Sequence, residues 1–492
     1  VWKWQRPNLF CTNEDLFTQT IVVPYLIPML QNAGAIVFTP RERDWQRNEI
    51  VIDNDDAVKS VYYFEKEASK RWKKCDSLGF ANRYRLKDGE NPFRMGTVRQ
   101  AKATKRKKTS QVSYQPRFKE AGKYAVYVSY QSLPKSVSDA RYIVYHKGEA
   151  TEFSVNQRMG GGTWVYLGTF DFDKGCNEFN RVVCTNKASH RGVVTTDAVR
   201  FGGGMGNIER GGYTSGLPRC LEGARYYAQW AGAPYKVYGG RKGENDYADD
   251  INTRSLMTNW LGGGSVYMPA RKGKHVPIEL SLALHSDAGY NKDGKTTFGA
   301  LAICTTDYND GILNSGISRF TSKDFARALR DNLVTDLTAQ FGEFGKRYLW
   351  DRNYSETRLP EVPSAILEML SHQNFPDMRI AQDPLGKFYI ARSIYKTILR
   401  FVNSNHGTRY VVQPLAPQNF SVTQNQGVAL LSWTAQLDKT EPSARPTSYI
   451  IYKAEGQGGF DNGTIVNTTY VKNDTDFNCV TGCASALSAV TC

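Results

Sequence analysis

One stretch, residues 277–289, constrains the fold of this 492-residue chain more than any other. Its sequence is Pro-Ile-Glu-Leu-Ser-Leu-Ala-Leu-His-Ser-Asp-Ala-Gly. The first part alternates apolar and small residues, which is typical of a buried strand, and His285, Ser286 and Asp287 then follow in a row. Because open α/β sheets hold their sites at the carboxyl ends of strands, the stretch predicts a site at this strand end. The alternative is a core histidine that hydrogen-bonds a neighbour.

An α/β pattern surrounds this stretch and is interrupted once. A helix is predicted from Thr12, which caps it, and a short strand over residues 35–39 follows. The strand that should precede this helix is not in the sequence. After residue 204 the pattern resumes, with helices over 221–230, 246–261 and 388–402, a longer helix capped by Ser322, and strands over 298–304 and 365–370. We predict one discontinuous domain, residues 1–49 and 205–410, with an open α/β sheet, flanking helices and its first strand missing.

Two further segments have the short alternating runs of all-β domains. Runs at 124–130, 140–146, 163–168 and 180–184, separated by turns, predict a β-sandwich inserted over residues 50–204. Runs at 428–433 and 448–453 predict a second, smaller β-sandwich over residues 411–492, with Trp433 between its sheets.

The charge and the cysteines limit the partners. The net charge of +15 favours anionic partners such as nucleic acid, acidic polysaccharide or cell wall. The basic cluster at 105–108 lacks interleaved aromatic residues, so we expect a solvated loop and no nucleic acid. No apolar run is long enough to span a bilayer. The nine cysteines are scattered and odd in number, so they do not predict a disulfide framework, and the redox compartment stays undecided.

Three polar groups are candidates for chemistry. Glu14 begins the first helix, His285 ends one strand and Glu368 ends another. Carboxylate and imidazole together suit zinc, with Glu368 as the general base and His372 as a competing ligand. Glu14 has an alternative explanation as an acid that favours a helix N-terminus. Glu368 is harder to explain structurally, because an unpaired buried carboxylate is costly. No Gly-x-Ser-x-Gly elbow, P-loop or dinucleotide fingerprint is present.

In their order, these residues resemble the zinc-dependent N-acetylmuramoyl-L-alanine amidases. The resemblance rests on Glu14, the run ending Val-Phe-Thr at 37–39, the His-Ser-Asp-Ala end at 285–288 and the Pro-Ser-Ala-Ile-Leu-Glu run at 363–368. It implies that Glu14 and His285 bind zinc and that Glu368 is the catalytic base. Asp287, His372 and Asn374 are predicted to contact substrate, and the alternative for His372 is that it caps a turn. The family's first ligand, a histidine before the helix, is expected upstream of Val1. With two of three ligands, the chain as numbered is expected to bind zinc weakly or not at all.

The inserted segment resembles the golvesin-like module also known as a xanthan-lyase carbohydrate-binding domain. The resemblance rests on Val-Asn-Gln at 155–157, Gly-Gly-Thr-Trp-Val-Tyr-Leu-Gly at 161–168 and Thr-Asp-Ala-Val-Arg-Phe-Gly at 196–202. If the chain binds glycans, Trp164, Tyr166 and Tyr145 are predicted to stack on sugars, although a strand tryptophan is more often a core residue. The C-terminal segment resembles a fibronectin type III domain that is truncated or atypical at its end. Such combinations resemble secreted proteins of Bacteroidetes-type bacteria.

Two functions follow from these resemblances. The first is an extracytoplasmic zinc-dependent hydrolase that cleaves an amide bond in peptidoglycan or a related glycan-linked substrate, impaired in the chain as numbered. The second is a non-catalytic carbohydrate-binding surface protein, which could be named xanthan lyase through its inserted module alone. Both imply a secreted, periplasmic or cell-surface location and peptidoglycan or an anionic polysaccharide as partner.

Overall fold

The computed structural model combines several β-sheets with helices. It describes residues 8–56, 62–68, 70–425, 428–454, 460–467 and 487–491. Its α-helices span Glu14–Ile21, Ile27–Asn32, Ala224–Trp230, Tyr235–Tyr238, Asp246–Gly262, Phe320–Phe341, Ser355–Arg358, Phe375–Gln382 and Pro384–His406. Within these residues, no helix is both long and apolar enough to cross a membrane.

The N-terminal cap of the first helix lies one residue later than predicted. Asn13, rather than Thr12, is the cap, and its side-chain oxygen accepts a hydrogen bond from the Leu16 amide at 3.1 Å. A π-helical turn, Val22–Leu26, follows and contains Pro24. Because proline lacks an amide hydrogen and clashes with the preceding turn, it disturbs the regular helical bonding there. The longer helix predicted to start at Ser322 starts at Phe320.

The predicted strand over residues 35–39 is wrong. This segment pairs with no strand among the residues that the structure describes, and the Ile36 side chain is 78% exposed. The apolar composition of the segment is that of a strand, but a strand also needs a hydrogen-bonding neighbour. Here a groove separates the segment from the nearest sheet edge.

The other α/β strands form a four-stranded sheet. Its order is Ser281–Asp287, Ser364–Ser371, Ala300–Cys304 and Lys346–Asp351. The first two strands are parallel, the second and third are antiparallel, and the third and fourth are parallel. The helices Phe320–Phe341 and Pro384–His406 share one apolar core with this sheet. The strands and helices predicted on either side of residues 285 and 368 are therefore confirmed, with boundaries shifted by a few residues.

In the part of the chain that the structure describes, the inserted segment forms three sheets, and its short strand Leu86–Lys87 pairs with Ile208–Glu209 beyond it. One contains Ile50–Asp53, Ala198–Phe201, Gly122–Val128 and Val165–Phe172, and a second contains Tyr63–Lys66, Gln111–Tyr114, Arg181–Thr185, Ala140–His146 and Glu149–Val155. A third contains Val193–Thr196, Gly96–Lys102 and Lys73–Gly79. Val126 of the first sheet and Tyr142 of the second belong to one buried core, as two packed sheets require.

A second core joins this insertion to the helices that follow it. Phe80, Phe93 and Trp164 of the insertion pack with Trp230 of the helix Ala224–Trp230. The Trp164 and Trp230 ring centroids are 5.9 Å apart. The boundaries 49/50 and 204/205 remain predictions, because apolar packing is continuous across the second of them.

The C-terminal segment contains two small sheets. Gln418–Asn425 pairs with Val428–Thr434, and Ser448–Lys453 lies between Thr464–Asn467 and Leu487–Thr491. Trp433 is buried and its ring centroid lies 5.1 Å from that of Tyr449, on the neighbouring sheet. The two predicted strands are confirmed, whereas the fibronectin type III fold remains a prediction. Cys479 and Cys483 lie outside the described residues.

Candidate active site

Glu14 and His285 lie side by side, although 271 positions separate them in the chain. Glu14 is the first residue of the first helix, and His285 lies near the carboxyl end of the strand Ser281–Asp287. His285 Nδ1 is 2.7 Å from Glu14 Oε1. The helix start and the strand end thus bring together the two residues predicted to bind zinc.

The other imidazole nitrogen of His285 contacts a residue that the sequence did not single out. His285 Nε2 is 3.0 Å from Glu356 Oε2, and Arg254 donates to Glu356 Oε1 at 3.0 Å. Glu356 lies on the short helix Ser355–Arg358, directly after the strand Lys346–Asp351. An acid close behind a strand's carboxyl end was the signal that could have identified it.

The charges of this cluster are strongly coupled. Burial disfavours the imidazolium of His285, but the carboxylates of Glu356 and Glu14 outweigh it and hold the His285 pKa well above its usual value. Burial also opposes the charged form of Glu356, yet His285 and Arg254 lower its pKa to about 2. Without a metal, the cluster is therefore a charged imidazolium between carboxylates.

Glu368 lies beside His285 on the neighbouring strand. The parallel register pairs the two residues directly, and the Glu368 side chain lines the same groove. Its Oε2 atom is buried and has no hydrogen-bond partner. Burial is the main cause that raises the pKa of Glu368 to about 7, opposed by His285 and supported by Glu14 and Asp287. A carboxyl group of this kind can hold a proton and release it near neutral pH.

Asp287 continues the polar edge of the site. Arg347 donates from Nη1 to Asp287 Oδ2 at 2.5 Å, and its guanidinium lies 4.0 Å from the centre of the Phe298 ring. The side chain of Asp287 lines the groove. Arg347, which the sequence did not single out, therefore positions the predicted substrate contact.

His372 and Asn374 occupy different positions. His372 is 5% exposed, and its Nδ1 donates to the Ser286 carbonyl oxygen at 2.9 Å. Asn374 is 1% exposed, accepts from the Asn291 amide at 3.1 Å and donates to the Thr296 carbonyl oxygen at 3.0 Å. His372 still borders the groove, whereas Asn374 does not. The amide group of Asn374 holds the loop between Asn291 and Thr296, and its predicted substrate role stays a prediction.

The cluster opens into a long groove. The groove has a volume of about 1940 Å³ and runs between the unpaired side of the strand Ser281–Asp287 and the segment 35–43. Residues 163–169 of the inserted segment form part of its wall. Glu14, His285, Glu356 and Glu368 all face this space. A groove of this size can take a segment of a polymer rather than a single small molecule.

The donor chemistry of the cluster tests whether zinc fits. Within the described ranges, no group of three or more His, Cys, Asp or Glu side chains is arranged to hold a metal ion. Two atoms that could bind a metal do lie together, because Glu14 Oε1 and His285 Nδ1 face each other. A metal-binding imidazole commonly donates its other N–H group to a carboxylate, as His285 Nε2 does here to Glu356. The residues present fit two ligands and one supporting partner of a site that needs a further ligand.

Two of the predicted sugar-stacking residues differ in exposure. Trp164 is 5% exposed, and its ring packs against Phe80 at 4.8 Å between centroids. This burial favours the core alternative for Trp164, which also borders the groove, and its stacking role stays a prediction. Tyr166 is half-buried and borders the groove, with the guanidinium of Arg43 3.6 Å from its ring centre. The role of Tyr166 stays a prediction.

Comparison with known proteins relates the inserted segment to a described family. The family model of the Golvesin C-terminal domain matches residues 88–203. The xanthan lyase of Bacillus sp. (strain GL1) is 34% identical over 97 residues, which are 19% of this chain and 10% of that protein. The chain thus spans about a tenth of the length of this curated relative. The match to the family model lies within the sandwich predicted over residues 50–204.

Solved structures give weaker overall likenesses. Paenibacillus xanthan lyase is similar with a TM-score of 0.25 and 21% identity, over 31% of this chain and 13% of that one. The N-acetylmuramoyl-L-alanine amidase of Clostridium difficile 630 is similar with a TM-score of 0.23 and 14% identity, over 34% of this chain and 79% of that one.

Proposed function

We propose that this protein is an extracytoplasmic, zinc-dependent hydrolase that cleaves an amide bond in peptidoglycan or a related glycan-linked substrate. One observation carries the proposal: Glu14, His285 and Glu356 form a hydrogen-bonded row beside Glu368, whose Oε2 atom has no hydrogen-bond partner, and all four residues line one open groove. The sequence resemblance to zinc-dependent amidases indicates that the bond cleaved is an amide. The groove supports a polymeric substrate.

The roles of the side chains follow from their positions. Glu14 and His285 would hold zinc together with the histidine predicted upstream of Val1, and Glu356 would orient His285. Bound zinc supplies a Lewis acid that polarises the amide carbonyl and activates water. Glu368 accepts a proton at its buried Oε2 atom and returns it to the leaving amine. Asp287, held by Arg347, lies on the groove wall where it can accept a hydrogen bond from substrate.

The experiment is digestion of purified peptidoglycan by the protein in its natural length, followed by mass spectrometry of the soluble products. We expect free stem peptides with a new amino terminus, loss of their release with a chelator, and recovery when zinc is added back. Cleavage that is indifferent to the chelator would disprove the zinc mechanism. Release of sugar fragments without free peptides would place the cut in the glycan instead.

A second candidate is binding of a polysaccharide through the inserted segment. It is favoured by the 97-residue likeness to a protein whose name states that it acts on xanthan. Tyr166 on the groove wall is the residue that we propose for this contact. A glycan array that retains the protein when Glu368 is replaced by Gln, and loses it when Tyr166 is replaced by Ala, would support this candidate.

A further inference from the structure

A second cluster of acidic and amide groups lies in the inserted segment, apart from the active-site groove. Asp53 ends the strand Ile50–Asp53, and its backbone pairs with Ala198 on the neighbouring strand, so that Asp197 is next to it. Asp53 is 1% exposed and Asp197 is not exposed. Two carboxylates are therefore enclosed close together, one at the end of a strand and the other directly before the neighbouring strand Ala198–Phe201.

Two oxygen atoms in this cluster lack a partner. Asp197 accepts the Phe80 amide through Oδ2 at 2.9 Å, but its Oδ1 atom is buried without a hydrogen bond. Asn54, which is 2% exposed, donates to Thr97 Oγ1 at 2.9 Å, while its Oδ1 atom is likewise buried and unbonded. A buried polar atom without a partner loses its hydration and gains nothing in return. Two such oxygens, from residues flanking Asp53, call for a shared partner.

The surrounding contacts hold these groups together. Thr97 bonds both Asn54 and Asp55, and Asp55 takes the Thr97 amide and hydroxyl at 2.6 Å each. Asp53 accepts the Asp55 amide at 3.2 Å through Oδ1. These bonds fix the loop that follows Asp53 and leave the two unpartnered oxygens unused.

We infer that Asp53, Asn54 and Asp197 form a binding site for a divalent cation, and that the cation is Ca²⁺. Carboxylate and amide oxygens, without histidine or cysteine, are the ligands that calcium prefers, and backbone carbonyls and water complete its shell. The described residues contain no group of three or more His, Cys, Asp or Glu side chains that could hold a metal ion. The site proposed here is of a different kind, because its ligands are two carboxylates and one amide.

The electrostatics agree with this assignment. Burial, followed by the charge of Asp197, raises the pKa of Asp53 to about 9. Burial is also the largest cause that raises the pKa of Asp197 to about 8, with the charge of Asp55 adding to it. The groups that oppose these increases are the backbone amides of Asp55 and Phe80 and the Ser129 hydroxyl, none of which carries a positive charge. A divalent cation would supply it.

The test uses the intact protein and needs no hydrolytic activity, so its result is independent of the proposed function. The protein is treated with EDTA and dialysed, and its melting temperature is measured with Ca²⁺, Mg²⁺ or Zn²⁺ added alone. Bound metal is counted by elemental analysis. We expect one Ca²⁺ per chain and a rise on the order of 5 °C when calcium is about 100-fold above its Kd.

Variants separate a metal site from a purely structural cluster. In Asp53→Asn and Asp197→Asn, we expect the calcium-dependent rise to disappear, while stability in EDTA stays equal to or above that of the parent because the buried amide is uncharged without taking up a proton. Asp171→Asn is the matched control, since Asp171 lies on the same sandwich but pairs with Lys123 at the surface. It should keep the full rise.

Two results would overturn the assignment. No bound calcium and no calcium-dependent rise would show that Asp53 and Asp197 share a proton instead of a cation. An equal rise with Mg²⁺ would show that the site does not select calcium.

Discussion

Glu42 and Arg200 form an ion pair at 2.5 Å in which neither side chain is exposed to solvent. Glu42 lies in the segment that follows the first helix, and Arg200 lies on a central strand of the inserted sandwich. Tyr127 donates to the second Glu42 oxygen at 2.6 Å, and its ring lies 3.8 Å from the Arg200 guanidinium. This pair fixes the wall of the active-site groove to the inserted segment.

Breaking that pair should destabilise the protein. Replacing Glu42 with Ala leaves the buried guanidinium with only the more distant Glu49 carboxylate, at 3.6 Å, and we expect the free energy of unfolding to fall by about 3 kcal/mol in urea denaturation. Glu152→Ala is the control, because Glu152 pairs with Arg141 at the surface, where both side chains are exposed. Its effect should stay below about 1 kcal/mol. Equal effects of the two variants would contradict a stabilising role for the buried contact.

Glu368→Gln should abolish most hydrolysis without unfolding the protein. The amide keeps the shape of the side chain but cannot accept the proton, so we expect a fall in kcat on the order of 10² to 10⁴. Glu279→Gln is the matched control, since Glu279 lines the same groove but pairs with His406, away from the cluster. Peptide release by mass spectrometry and circular dichroism of both variants make the comparison. Undiminished release by Glu368→Gln would refute the role of the base.

Glu356→Gln should weaken the binding of zinc and leave the rate of the chemical step unchanged once zinc is bound. Glu356 fixes the orientation of His285 through Nε2, and loss of such a supporting carboxylate lowers metal affinity by about 10- to 100-fold. Titration with a competing chelator measures this affinity. Activity should recover when zinc is raised in proportion. The exposed Glu343 provides the control variant Glu343→Gln. Failure of added zinc to restore activity would argue that Glu356 acts on substrate.

Glu222 should make stability depend on pH. It is 3% exposed and accepts a hydrogen bond from Ser215 at 2.7 Å, and burial raises its pKa from 4.5 to about 7. The folded state therefore binds this proton more tightly than the unfolded state, so its contribution is complete below about pH 4.5 and is lost as pH rises through about 7. The loss is on the order of 3 kcal/mol.

The isosteric variant Glu222→Gln tests this sign. It should match the parent near pH 4 and exceed it near pH 8 in the free energy of unfolding, because the amide never ionises. A difference between the two proteins that is constant with pH would show that the carboxyl group does not titrate in this range.

Trp164→Ala should lower the stability of the protein and should not weaken glycan binding directly. The ring fills a buried aromatic cluster with Phe80, Phe93 and Trp230, so its removal should cost about 3–5 kcal/mol. Tyr166→Ala, at the groove wall, should be much milder. Thermal denaturation compares the two. A stable Trp164→Ala protein with weakened glycan binding would support the predicted stacking role of Trp164.

The sequence by itself determined most local helices and strands and the order of the candidate residues Glu14, His285 and Glu368 along them. The alternation before His285 and Glu368 predicted their strands, because a sheet buried on its faces needs apolar residues along each strand. The same pattern failed at residues 35–39. Apolar content indicates which side chains seek burial, but it does not supply the neighbouring strand that satisfies the backbone.

The tertiary structure decided which side chains meet. Glu356 and Arg254 join Glu14 and His285 through contacts that span 71 to 271 positions of the chain, and no local pattern encodes such pairs. Burial likewise distinguishes Trp164, which is 5% exposed and packs in an aromatic core, from the half-buried Tyr166, although the two residues lie two positions apart on the chain and both border the groove. Sequence supplies the chemical groups, whereas distance and solvent exclusion, which set their charge and their partners, arise only when distant segments pack together.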